Sequence, residues 1–361
     1  MDSRIVMWRS IVVAAAAALL TACGGGGSGG PRELRVMTRN LYLGADLTAV
    51  IGAVAVGDPD EIVVATTEGF ARVQATDFPT RAEAIAAEID AARPDLVGLQ
   101  EAALWRVQSP SDAFEASPTP ATQVAFDFVV LLQQALAARG LAYVVVATVD
   151  EADVELPALD ASMSLLDVRF TDRDVLLARA DLAVRGIALS GASSGLFDTY
   201  LDLGGGLVVP RGWVGVDATY DGRTVRVVST HLEDASEDLQ RAQAAELLAG
   251  PLAGAGDAIV MGDFNSDANR VAPSATYDDL VATGFADAWL SAGNPPGTGS
   301  TWGHDDALVD PFADLSQRLD LVLSRGTWTV TDADVVGENP ADMIDGLWPS
   351  DHAGVFLALR R

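Results

Sequence analysis

The sequence predicts an α/β domain in which two packed β-sheets carry helices on their outer faces. Three observations lead there. Apolar runs of strand length recur from "ELRVMTRNLYL" near one end to "AGVFLAL" near the other. Helical periodicity is confined to a few segments, and neither a mid-chain linker nor a fixed-period repeat divides the chain. Many strands with few helices in one uninterrupted domain pack most simply as sheet on sheet with helices outside.

Composition allows such a domain and narrows its partners. With 361 residues, 49% hydrophobic and 20% charged, the chain can bury a sizeable core. Its formal charge is -28, and Arg supplies all the permanent positive charge because Lys is absent. That field repels polyanions, which disfavours a DNA-coating or polybasic membrane role. A bound cation reverses the potential locally inside a cleft.

At the N-terminus, "MDSRIVMWRS" places Arg4 and Arg9 before the apolar run "IVVAAAAALL", which is too short to span a bilayer and has the form of a secretory signal. Leu20-Thr21-Ala22-Cys23 resembles a bacterial lipobox. That resemblance implies cleavage before Cys23 and lipidation of that residue, the single cysteine of the chain, so intrachain disulfides are excluded. The run "GGGGSGG" then serves as a flexible tether. The expected organisation is a lipoprotein signal peptide over 1–22, a tether over 23–33 and one domain over 34–361, in a monomer exported to the bacterial cell envelope and lipid-anchored to a membrane.

Along the domain, "ELRVMTRNLYL" reads as a strand, and Gly44 to Pro79 has no clear pattern. Thr80 and Glu83 form a capping box before a helix whose Ile85 and Ile89 share one face. Pro94 ends that helix near Arg93. "DLVGLQEA" is a buried strand ending at Gln100 and Glu101, residues 102–122 loop over the surface, and a helix covers about 124–138 until Gly140. Further strands are "AYVVVATV", "DVLLAR", "WVGVDATY", "TVRVVSTHL", "DAIVMGD", "RLDLVLSR" and "AGVFLAL", with a helix in "SEDLQRAQAAELL". "TYDGRTV" is a hairpin, because Asp-Gly suits a primed turn.

Five of these runs finish in polar groups: Asn40, Gln100-Glu101, Thr230-His231, Asp263-Phe264-Asn265 and Ser350-Asp351-His352. Asp320 lies inside "RLDLVL", where an unpartnered acid is costly to bury. Any one of these endings reads as an ordinary turn; "MGDFNSD" alone is rich in turn and cap formers. Five together in the order "TRNLYLG", "PDLVGLQEA", "RDVLLAR", "VVSTHLE", "VMGDFNSD", "RLDLVL" and "SDHAGV" resemble the endonuclease/exonuclease/phosphatase superfamily. That superfamily includes DNase I-like nucleases, neutral sphingomyelinases and inositol polyphosphate 5-phosphatases, and the resemblance runs from about Leu34 to the C-terminus.

The resemblance implies a four-layered α/β sandwich with its site at one end of the two sheets, and divalent-metal-dependent hydrolysis of a phosphate ester. Glu101 matches the metal glutamate, with Asn40 binding or orienting the same ion and Asp351 contributing from the opposite side. Mg²⁺ is the expected ion, with Mn²⁺ or Ca²⁺ as alternatives; hard cations of this kind take oxygen ligands. His352 with Asp320 resembles the histidine-aspartate pair, and His231 the second histidine, a donor to a phosphoryl oxygen. Asp150 and Glu151 follow the kind of strand that supplies its acidic partner, without a choice between them. Asp263 is expected to orient or activate the attacking water, and Asn265 to bond the phosphoryl oxygens. Asp174 stands where the family often has asparagine, which leaves that substrate contact open.

Nucleic acid, phospholipid head groups and small phosphorylated metabolites compete as substrates, and a non-catalytic surface lipoprotein is the alternative of another class. Arg39, Arg169, Arg173 and Arg318 are either substrate contacts or salt-bridge residues. Phe197, Tyr200 and Trp213 are lipid contacts or core, Phe264 is core, and His304 is a core or loop residue. The insertions at 44–79 and 102–122 follow motif strands and are expected to wall the cleft.

Overall fold

A computed structural model describes residues 32–361, apart from 205–206, 273 and 313. The expected signal peptide, Cys23 and the expected tether up to residue 31 lie outside the described residues. The chain runs β1 (Glu33–Asn40), α1 (Thr48–Val56), α2 (Pro59–Ala75), α3 (Phe78–Ala92), β2 (Leu96–Gln100), β3 (Leu104–Gln108), β4 (Gln123–Asp127) and α4 (Phe128–Ala138). Next come β5 (Tyr143–Leu159), β6 (Leu165–Arg179), β7 (Ala188–Leu196), the paired short strands β8 (Leu201–Gly204) and β9 (Leu207–Val209), β10 (Gly212–Tyr220), β11 (Arg223–His231) and α5 (Glu237–Ala249). The last part holds β12 (Ala258–Asp263), α6 (Ala275–Ala282), β13 (Ala286–Asp287), α7 (Ala288–Ser291), β14 (Asp320–Arg325), β15 (Thr329–Val336) and β16 (Gly354–Arg360).

One sheet has the order β15-β16-β1-β2-β6-β3-β4, with β5 also paired to β6, and the other β13-β14-β12-β11-β10-β7. Both are mixed: β1 with β2 and β11 with β12 are parallel, and the remaining pairs are antiparallel. Successive residues of the central strands point to different cores. Val36, Leu96, Val227, Ile259 and Val322 meet between the sheets. Met37 and Val97 instead pack on α3 and α4 through Ile85, Ile89 and Phe128. Val228, Val260 and Leu323 pack on α5 and α6 through Leu247 and Leu280. Burial on both faces explains why these strands read as continuous apolar runs rather than alternating ones, and the result is the expected four-layered sandwich.

The sheets approach closely at Gly98, where an added Cβ would lie 2.3 Å from Ser229 Oγ. A buried polar bridge crosses the interface beside it: Thr38 donates to Gln100 at 3.0 Å, and Gln100 donates to Ser229 at 2.8 Å. The Asp-Gly hairpin forms as expected, with φ of 50° at Asp221 and 74° at Gly222 between the paired β10 and β11.

Local differences from the sequence reading have identifiable causes. Residues 44–79 contain α1 and α2; α2 is capped by Asp58, which accepts from Asp60 N, with Pro59 opening the helix. The Thr80 capping box is not used. Helix α3 starts three residues earlier, at Phe78 with Asp77 in the cap position; the Phe78 ring stacks on Phe128 with centroids 3.6 Å apart, and Thr80 donates to Asp77 instead. Residues 123–127 are strand rather than helix, paired to β3, because Asp127 caps α4 by accepting from Val129 N and Val130 N. Strands β5 and β6 extend well past the apolar segments as a long antiparallel ladder.

Candidate active site

The two parallel pairs end side by side. Asn40 is registered with Gln100 in one sheet and His231 with Asp263 in the other, while antiparallel β14 brings its first residue, Asp320, opposite Asp263. Just beyond the strands the backbone turns into the left-handed region at Tyr42, Glu101 and Asn265, with φ of 56°, 53° and 48°. Non-glycine residues adopt that region at a cost, and such sites cluster where function fixes the chain. Gly262 of the "GDFN" stretch has φ 145°, and an added Cβ would collide with Thr230 O at 1.9 Å, so only glycine fits between the strands.

Asp263 Oδ2 is the hub. Asn40 Nδ2 donates to it at 3.1 Å, and the Nε2 atoms of His352 and His231 lie 3.6 and 3.7 Å away. The other oxygen, Oδ1, accepts from Asn265 N at 2.9 Å, which fixes the carboxylate's rotation. His352 Nδ1 is 2.8 Å from Asp320 Oδ2. Asn40 Nδ2 also donates to Glu101 Oε1 at 2.9 Å, and Leu43 N donates to Glu101 Oε2 at 2.7 Å. Asn40 Oδ1 is turned back to accept from Tyr42 N at 2.9 Å, so its amide nitrogen is what faces the cluster. Asp351 is half-buried beside Ser350, whose hydroxyl donates to Asn40 O at 2.9 Å.

Charge crowding sets the electrostatics. Burial, then Asp351 and Asp172, push Glu101 up to about 8. Burial raises Asp263 to about 6, opposed by His352 and supported by Asp320. Burial alone would depress His352, but Asp320, Asp263 and Asp351 hold its imidazole protonated well above the usual range. A cation would relieve the Glu101 carboxyl, and the oxygens of Glu101 and Asp351 suit a hard ion, which often needs only one or two carboxylates; Asn40, its oxygen turned away, fits the orienting role rather than the ligand role expected for it. Among the described residues, Asp263-Asp320-His352, Glu151-Asp174-His231 and Asp112-Glu155-Asp167 each have ligand atoms within 4.8 Å of one another. Glu101 belongs to none of these three groups.

His231 differs from the expectation. Its Nδ1 meets Arg211 Nη1 at 3.0 Å rather than an acid. Glu151 stands behind that arginine, 3.9 Å from Nη1, with Asp172 at 3.6 Å. Asp174 is fully buried, and neither of its oxygens has a hydrogen-bond partner.

Several residues outside the expected site hold it in place, and of these the sequence had singled out only Arg39. Buried Arg81 of α3 donates to Leu41 O at 2.7 Å and Pro349 O at 2.9 Å, tying together the loops that carry Asn40 and Asp351. Its signal was a charge four residues before Ile85 on the helix's buried face. Arg39 donates to Glu88 of α3 at 2.9 Å and to His352 O. Thr301 Oγ1 accepts from Leu319 N and Asp320 N, both at 3.1 Å. Arg39, Arg169, Arg173 and Arg318 are all engaged in ion pairs, with Glu88, Asp153, Asp127 and Asp287. Their salt-bridge reading is therefore the one the structure supports. Phe264 and Phe197 are core residues, and Tyr200 is exposed. His304 is buried and stacks on Trp348.

A four-layered sandwich with carboxylates, amides and imidazoles gathered at one end of its two sheets defines the DNase I-like class of folds. The chain belongs to the Endonuclease/Exonuclease/phosphatase family, whose model matches residues 67–352. It is similar in structure to an endonuclease/exonuclease/phosphatase family protein of Leptotrichia buccalis, at 15% identity and a TM-score of 0.56, covering 91% of this chain and 100% of that one. A mannosyl-6-phosphatase of Bacteroides thetaiotaomicron superposes with a TM-score of 0.52 at 16% identity, over 91% of this chain and 100% of that one. D. rerio TDP2 complexed with a single-strand DNA product gives 0.52 at 15% identity, over 91% and 99%. No curated protein matches the chain in sequence.

Proposed function

We propose that this protein is a divalent-metal-dependent phosphodiesterase, exported and held at the bacterial cell envelope by a lipid on Cys23. The observation that carries the catalytic reading is the convergence on one oxygen, Asp263 Oδ2, of an amide and two imidazoles from three other strand ends. Asp263 orients and deprotonates the attacking water. Asn265 and His231 donate to phosphoryl oxygens as charge develops, and His352, held by Asp320, faces the reacting centre. Glu101 and Asp351 would hold the ion, preferably Mg²⁺, whose chemistry is to neutralise and polarise the phosphate, with Asn40 orienting Glu101 through its amide nitrogen. An anion entering this acidic cleft needs such compensation, since the four arginines first considered for substrate contact are all paired.

The named activities and ligands of two structural neighbours support phosphoester chemistry on this fold, with a mannosyl phosphate in one case and DNA in the other. Purified protein incubated with bis(p-nitrophenyl) phosphate, p-nitrophenyl phosphate, plasmid DNA and sphingomyelin, with Mg²⁺ or EDTA, tests the reading. Mg²⁺-dependent cleavage of a diester is expected. Turnover of the monoester alone makes it a phosphomonoesterase, and no turnover of any supports the non-catalytic surface-binding alternative. For the anchor, Cys23→Ala should release the protein from membranes, and unchanged partitioning and processing would remove that part of the proposal.

A further inference from the structure

The ring of His231 meets two nitrogen donors. A guanidinium has no lone pair to offer, so at 3.0 Å from Arg211 Nη1 the Nδ1 atom must accept. A neutral imidazole then carries its one proton on Nε2. Asn265 Nδ2 lies 3.2 Å from that Nε2, yet this amide is oriented by its own 2.9 Å donation to Leu232 O and presents hydrogen rather than a lone pair to the ring. Two N–H groups therefore stand side by side at the rim of the cluster, with Asp263 Oδ2 the nearest acid at 3.7 Å from His231.

Resting on the phosphoester reading, we propose that Arg211 is a positioning residue that locks His231 in its Nε2–H tautomer, so that His231 and Asn265 form a paired donor site for one phosphoryl oxygen. Arg211 is itself set in place by acids. Asp172 and Asp234 lie 3.6 Å from its guanidinium, and Glu151 and Glu233 lie 3.9 Å away. These carboxylates keep the guanidinium charged while it faces the ring. A carboxylate on Nδ1 would favour a second proton; a guanidinium opposes it. Burial, Arg211 and His352 all push the His231 imidazole well below its ordinary range, in agreement with that geometry. The ring is then a fixed neutral donor, whose single N–H is far less acidic than an imidazolium's and so stays on the ring while it bonds the oxygen.

The test reads the tautomer directly. In protein labelled with ¹⁵N-histidine, long-range ¹H–¹⁵N correlations at neutral pH distinguish protonated from bare ring nitrogens, and with 3 His in the chain the His231→Gln variant assigns the resonances by loss. Wild type should show a bare Nδ1 and a protonated Nε2 at His231. Arg211→Lys keeps the cation and should retain that pattern with turnover lowered less than about tenfold, whereas Arg211→Met should mix the tautomers and lower turnover about 10²-fold. An Nδ1–H tautomer in wild type, or an unchanged pattern in Arg211→Met, overturns the proposal; should Arg211→Met fail to fold, the wild-type spectrum decides. Phosphoester turnover with the opposite tautomer sinks the role of Arg211 and spares the hydrolase. The expected tautomer without turnover sinks the hydrolase and spares the hold on the ring.

Discussion

His352 and His231 approach the same carboxylate oxygen through the same ring atom, at 3.6 and 3.7 Å, and differ in what stands behind them. Asp320 backs His352, and Arg211 backs His231. The first partner stabilises an imidazolium and the second a neutral ring. One cluster thus holds a charged and an uncharged imidazole at the same pH, a division of labour set by second partners rather than by the histidines themselves.

The largest effect should come from breaking the charged side. His352→Ala is expected to lower turnover by about 10³- to 10⁴-fold, or roughly 4 to 5 kcal/mol of barrier, with little change in thermal midpoint. Full activity in that variant on the best substrate would exclude the mechanism. Breaking the neutral side should cost less: His231→Ala is expected to lower turnover about 10²-fold, since one hydrogen-bond donor remains in Asn265. The two substitutions together should fall short of the product of the single effects, because in the proposed mechanism both act on one phosphoryl group. Strict multiplicativity, measured by steady-state kinetics on the double variant, would show that the rings work independently.

A third prediction concerns the metal side. Glu101→Gln keeps shape and removes charge, so Mg²⁺ affinity measured by calorimetry should weaken by at least about tenfold. Without a cation Glu101 titrates near 8, above its unfolded value, so the folded state retains a proton that the unfolded state releases. The stability this provides is complete below the unfolded pKa and is lost as pH rises through about 8. The metal-free protein should therefore melt several degrees lower at alkaline than at mildly acidic pH. Added Mg²⁺ should reverse that loss, and Glu101→Gln should flatten it. A pH-independent midpoint in the metal-free protein would mean that Glu101 is not crowded by its neighbours.

The smallest effect is expected at an ion pair outside the cluster. Arg169→Ala removes a partly exposed ion pair with Asp153, a contact that contributes about 0 to 1 kcal/mol, and should leave turnover within about threefold. A large loss of substrate affinity there would return Arg169 to the substrate contacts.

Much of the sandwich was legible because its central strands bury both faces, which writes them as unbroken apolar runs. The polar residues that end those runs were legible for the complementary reason: a strand buried on both faces can place an acid or amide only where it emerges. Helices α1 and α2 were not legible. Segment 48–56 is Ala, Val, Ile and Gly with a single Thr, so it has no polar face to reveal a 3.6-residue period. The capping box at Thr80 misled because Phe78 belongs to the core, and its stacking on Phe128 carries the helix start upstream.

From sequence alone came the family resemblance, the layered fold and the identity of Asn40, Glu101, His231, Asp263, Asn265, Asp320, Asp351 and His352 as the groups to watch. Apart from the His352–Asp320 pair, which the resemblance implied, their partners were settled only by tertiary structure. Arg211 precedes His231 by 20 residues and reaches it through the β10–β11 hairpin. Arg81 and Glu88 lie among the apolar residues of the buried face of α3, where the sequence shows that they are charged but not what they hold. A motif can specify which side chains emerge at a strand end, because that depends on local periodicity. Protonation, tautomer and charge depend on distances and dielectric between residues remote in the chain, and folding alone sets those.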